Sequence, residues 1–124
     1  MKILLDTHTF LWYIWGRDEL GAENRALIEN PSNVKLLSIA SLWEIAVKVN
    51  IGKLRITVPI TTLVPSEIQI LSINLNHLEV YTQLPLFHRD PFDRLIIAQA
   101  MSEDLPVLSV DNKFDRYAIA KIWR

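Results

Sequence analysis

The chain predicts an α/β fold on a mainly parallel sheet of four to five strands, and three observations carry that prediction. Short apolar runs alternate with longer stretches whose apolar residues recur at helical spacing. The short runs are apolar nearly throughout, as in strands buried on both faces. Breakers and caps fall between the segments: Asn30-Pro31 stops one helix, Gly52 follows another, and Asp90-Pro91 supplies an N-cap with Pro at the first helical position.

Taken in order, residues 2–5 read as a first strand, closed at once by Asp6, and 7–14 as the helix that follows. A helix at 22–29 runs to the Asn30-Pro31 stop, and Val34, Leu36 and Leu37 mark a second strand at 34–37. The stretch 39–50 is helical by its apolar Ile39, Leu42, Trp43, Ala46, Val47 and Val49, starting from Ser38 or from Ser41. Pro59 and Pro65 interrupt the next segment, so only a short helix at 61–65 and a break are expected there. A third strand follows at 68–73, helices at 75–84 and 91–103, a fourth strand at 107–110 and a last one at 119–123. Such alternation implies right-handed crossovers with helices on both faces of the sheet.

The bulk numbers bound the function classes. A chain of 124 residues with 50% hydrophobic composition can bury one core, and a single domain over 1–124 is expected. With no Cys, disulfides, thiolate zinc and cysteine nucleophiles are excluded together, which fits a reducing compartment, the cytoplasm by default. The N-terminal apolar run is too short for a signal peptide, and no later run approaches a membrane span. Net charge is -1, with Lys+Arg 13 against Asp+Glu 14, so the basic excess of a dedicated nucleic-acid binder is missing. An acidic metal site that cancels a local basic rim would reconcile that charge with a nuclease.

Four carboxylates stand out, each with a plain structural alternative. Asp6 follows the first strand, where open α/β sheets bind ligands, but it also suits an N-cap. Glu44 completes an S-x-x-E capping box with Ser41 and an i,i+4 pair with Lys48; a helix start at Ser38 would instead leave it mid-helix among apolar neighbours. Asp90 reads as a cap, and Asp93 either complements the helix dipole or faces a site at the helix mouth. Asp111 ends the fourth strand, and Asp111-Asn112 also suits a turn. All four of Asp6, Glu44, Asp93 and Asp111 would project toward one edge of a parallel sheet. Two carboxylates about 4 Å apart repel by roughly 4 kcal/mol at an effective dielectric near 20, so the cluster needs a cation or a proton. All-oxygen ligation selects Mg²⁺ or Mn²⁺ over zinc.

The segments Leu4-Leu5-Asp6-Thr7-His8-Thr9-Phe10-Leu11-Trp12, Ser41-Leu42-Trp43-Glu44-Ile45-Ala46 with Gly52-Lys53-Leu54, His88-Arg89-Asp90-Pro91-Phe92-Asp93-Arg94 and Ser109-Val110-Asp111 resemble the PIN domain family, specifically VapC-like toxins of toxin-antitoxin pairs. The likeness runs in order through nearly the whole chain. It implies a three-layer α/β/α sandwich, a Mg²⁺- or Mn²⁺-dependent endoribonuclease, inhibition by a small antitoxin protein, and the dimers common among such domains. Carried over residue by residue, it implies that Asp6, Glu44, Asp93 and Asp111 are the catalytic metal ligands and Ser109 the hydroxyl beside them. Asp90, Arg89 and Arg94 are then expected at the rim, the arginines on RNA phosphates.

Other residues carry less. His8, His77 and His88 have no zinc-site spacing and are assigned no role. The three Gly are too scattered for a phosphate-cradling loop, and no G-x-S-x-G elbow occurs. Receiver and haloacid-dehalogenase chemistry would want an acid before Asp6 or two residues after it, where Leu5 and His8 stand. Trp12 and Trp15 read as core or helix packing, or as the lining of a groove for an antitoxin helix. A PIN-like module that binds a partner without strong catalysis is the competing reading.

Overall fold

The computed structural model describes residues 1–124. Five strands, β1 (Lys2–Leu5), β2 (Val34–Ser38), β3 (Ile68–Leu71), β4 (Val107–Leu108) and β5 (Lys121–Ile122), form one sheet in the order β3-β2-β1-β4-β5. Every pairing is parallel, with Leu4 opposite Leu36 on one side and Val107 on the other. Successive side chains leave opposite faces, so the apolar runs feed two cores. Leu4, Leu36 and Val107 join one; Ile3, Leu5, Leu37 and Leu108 join the other. Helices α1 (Thr7–Ile14) and α2 (Ala22–Glu29) cover the second face, with Phe10, Leu11 and Ile28 in its core. Helices α4 (Leu75–Thr82) and α5 (Pro91–Glu103) cover the first, with Leu95, Ile96 and Ile97 from α5 in the core and Val80 and Tyr81 from α4 packed against it. The three-layer α/β/α expectation holds.

Helix α3 (Ile39–Asn50) starts at Ser38, whose side chain accepts from the Ala40 N–H at 2.9 Å; the Ser41 capping box is therefore not formed. It ends in a Schellman closure, Lys53 N to Lys48 O and Gly52 N to Val49 O, with Gly52 at φ 76, a left-handed conformation that suits glycine. Several expected elements are shorter. The helix expected at 61–65 is a single 3₁₀ turn, Ile60–Thr62, because Pro59 and Pro65 bracket it. Strand β3 stops at Leu71, β4 at Leu108 and β5 is two residues long, and α4 stops at Thr82. No helix is long and apolar enough to cross a membrane.

Fully buried Asn24 links α2 to the last residue: Nδ2 donates to Leu20 O at 2.9 Å and to Arg124 O at 2.8 Å, while Oδ1 accepts from Arg124 N at 3.0 Å. Asn24→Ala leaves these backbone groups short of partners and is expected to cost about 2–3 kcal/mol. Urea denaturation checks it; a cost near zero would mean that water replaces the amide without loss.

Candidate active site

The strand order reverses direction beside β1: β2 and β3 lie on one side, β4 and β5 on the other. Loops leaving β1 and β4 therefore part in opposite directions and open a crevice at the carboxyl ends of these strands. Asp6 leaves β1 and Ser109 and Asp111 leave β4, so a separation of 103 residues in sequence closes to a hydrogen bond, Ser109 Oγ donating to Asp6 Oδ2 at 2.5 Å. The same Ser109 oxygen accepts from the Asp111 N–H at 3.0 Å. Asp6 Oδ1 meanwhile accepts from the Thr9 N–H at 2.9 Å and caps α1. The two readings of Asp6 coexist, one on each carboxylate oxygen.

Glu44 lies mid-helix and is buried. Its Oε1 accepts from the Thr7 hydroxyl at 2.7 Å and its Oε2 from Lys48 Nζ at 2.8 Å. The i,i+4 pair is thus real, and it offsets the charge of an acid that the apolar neighbours alone would leave costly. Asp90 caps α5, its Oδ1 accepting from the N–H groups of Phe92 and Asp93 at 2.9 and 3.1 Å. Asp111 caps a 3₁₀ turn by accepting from Lys113 N at 2.9 Å.

Asp93 differs from the rest. Its carboxylate accepts no hydrogen bond, and the basic group beside it is His88, with Nε2 3.6 Å from Oδ2. Burial, reinforced by the negative charges of Asp90, Glu44, Asp111 and Asp6, pushes its carboxyl from 3.8 up to about 7. Burial raises Asp6 as well, against the opposing hydrogen bonds from Ser109 and Thr9. The four acids therefore share one electrostatic site. Their donor chemistry, oxygen throughout and net negative, fits a hard divalent cation. The spacing is open, since no three His, Asp or Glu side chains close on a single point. Any such cation would be held by Asp6, Asp93 and Asp111, with Glu44 contributing from its Lys48-bound position.

Arg94 is corrected. Its side chain is buried, and Nη1 donates to Pro85 O at 2.9 Å, His88 O at 3.2 Å and Tyr117 Oη at 3.2 Å. It anchors the loop before α5 from inside and cannot reach a phosphate on the surface. Arg89 is exposed, where a rim cation must be. His88, assigned no role from the sequence, sits beside Asp93, and its position after Pro85 and before the Asp90 cap was the one signal that could have found it.

A parallel sheet between two helical layers, with Asp6, Ser109 and Asp111 at its switch point, defines the class as an α/β/α domain. The chain belongs to the PIN domain family, whose sequence model matches residues 3–120. No curated protein sequence matches. Among solved structures, the fold is similar to a chain of VapBC2 from Rickettsia felis bound to a promoter DNA fragment, at TM-score 0.76 and 19% identity over 100% of both chains. It is similar also to a chain of DNA-bound VapBC from Salmonella typhimurium, at 0.68 and 17%, covering 98% of this chain and 97% of that one. A chain of VapBC-1 from nontypeable Haemophilus influenzae matches at 0.67 and 16%, covering 98% and 97%. These neighbours share the fold that the resemblance read from the residues implies.

Proposed function

We propose that this protein is a Mg²⁺- or Mn²⁺-dependent endoribonuclease and the toxin of a toxin-antitoxin pair. The observation that carries the reading is the placement of Asp93 among four other carboxylates: burial and their charges raise it to about 7, so that it is only about half ionised at neutral pH, and a cation would hold it fully ionised. A bound cation would supply Lewis-acid polarisation of a phosphodiester and a water of lowered pKa. The chain's own part is orientation: Ser109 and Thr9 hold Asp6, Thr7 and Lys48 hold Glu44, and the Asp90 cap sets the start of the helix carrying Asp93. Incubation of purified protein with single-stranded RNA should give internal cleavage that Mn²⁺ stimulates and EDTA stops. Equal cleavage with and without metal, or none, refutes it.

Partner binding has its own geometric support. A cleft of about 360 Å³ between α1 and α3 is lined by Leu11, Trp12, Trp15, Ile45 and Leu54, with Lys48 and Lys53 beside them. It begins at Thr7, which bonds Glu44, so a helix laid in it would reach the acids. Trp15 is 42% exposed there. Trp15→Glu is expected to weaken binding of a small antitoxin protein by at least about tenfold, because a desolvated aromatic anchor is lost. Undiminished capture by the variant would move the partner to another face. The open spacing of the acids favours the second reading, a weakly catalytic binding module. Tight stoichiometric capture without metal-stimulated turnover would select it.

A further inference from the structure

A half-buried imidazole beside Asp93, that of His88, has a hydrogen-bond pattern that fixes where its proton sits. Arg94 Nη1 lies 3.2 Å from Tyr117 Oη, and a guanidinium only donates, so Tyr117 accepts from it. The Tyr117 proton then has one acceptor in reach, His88 Nδ1 at 2.7 Å. With Nδ1 accepting, the proton of the neutral ring is on Nε2. That Nε2 is buried without a partner, and the carboxylate beside it is that of Asp93, with Oδ2 at 3.6 Å, ~0.7 Å beyond an ordinary N–H···O bond. Orphaned buried donors are rare, and this one points at the only acid of the site that accepts no hydrogen bond.

We infer that His88 is a positioning residue: its Nε2–H, set by the Arg94–Tyr117 pair, takes the outer oxygen of ionised Asp93 and leaves the other oxygen directed at a divalent cation. The inference rests on the metal-dependent reading above and adds a residue to it. A ring N–H that orients a ligating carboxylate raises metal affinity by about 10–100-fold in comparable sites. Arg94, Tyr117 and His88 then form a rigid chain from the core to Asp93. The loop 85–90 is held at the same Arg94 through Pro85 O and His88 O.

The test titrates Mn²⁺ into wild type, His88→Ala, His88→Gln and Tyr117→Phe by calorimetry, with ¹⁵N NMR of the wild-type ring and circular dichroism of each variant. His88→Ala should weaken Mn²⁺ by at least about tenfold, and His88→Gln, whose amide N–H₂ stands near the Nε2 position, should recover most of it. Tyr117→Phe should fall between them. The wild-type spectrum should show the Nε2–H tautomer, a readout that needs no variant to fold. A proton on Nδ1, or unchanged Mn²⁺ affinity in folded His88→Ala, overturns the inference while wild-type binding and cleavage stand. Wild type that neither binds Mn²⁺ nor cuts RNA overturns the metal-dependent reading itself, and this inference with it.

Discussion

Asp93→Asn is expected to remove metal-stimulated RNA cleavage, by at least about 100-fold, and at the same time to make the metal-free protein more stable at neutral pH. The two effects have one cause. Burial and four like charges raise the Asp93 carboxyl from 3.8 to about 7, so the folded protein holds its proton more tightly than the unfolded chain does. A raised folded pKa contributes stability that is fully present below about pH 4 and is lost as pH climbs through the folded value. Metal-free wild type should therefore lose stability between about pH 4 and 7, by on the order of 4 kcal/mol for this group, and level off above. Asn does not ionise, so the variant should lack this part of the slope. Asp6, raised in the same direction, adds to the slope in both proteins. Mn²⁺ should offset the loss in wild type alone. Thermal melts at pH 4, 5.5 and 7, with and without Mn²⁺, check the result; a stability difference between the two proteins that does not grow from pH 4 to 7 would show that Asp93 is not buried among charges.

Arg94→Ala should destabilise by about 3 kcal/mol or more, since it deletes a charged donor shared by Pro85 O, His88 O and Tyr117 Oη and leaves them buried. Its guanidinium also lies 5.3 Å from the Tyr81 ring centroid, a contact that Ala forfeits. Arg94→Lys should recover little, because one ammonium cannot reproduce a planar fork. Exposed Arg89→Ala should stay within about 0.5 kcal/mol of wild type. Guanidinium denaturation of the three variants separates the cases. Unchanged stability in Arg94→Ala together with weakened RNA binding would return Arg94 to the surface role that its motif suggested.

These two arginines show where local pattern stops being informative. Arg89 and Arg94 stand five positions apart in one motif, and both read as solvated charges beside the acids. Burial separates them, because Arg94 lies in the buried stretch of α5, enclosed by the loop before it, Tyr117 and Tyr81, and Arg89 precedes the cap. The carboxylates show the reverse. Each could be named from its place after a strand or at a helix start, yet cap and site remained alternatives for Asp6. A carboxylate has two oxygens, and Asp6 uses one for Thr9 and the other for Ser109. For Glu44, the choice between Ser38 and Ser41 as the helix start turned on a single hydrogen bond, from Ala40 N to Ser38 Oγ.

The amino-acid order alone determined the βα alternation, the helix starts at Thr7 and Pro91, and the identity of the acids, because burial on both faces, capping and proline all act within a few residues. Tertiary structure decided the order β3-β2-β1-β4-β5, and with it that the ends of β1 and β4 are neighbours. It also decided that Ser109 meets Asp6 and that Arg94, Tyr117 and His88 line up behind Asp93. Those contacts join elements whose partners are chosen by sheet packing and by the need to satisfy buried polar groups, neither of which leaves a periodic trace in the chain.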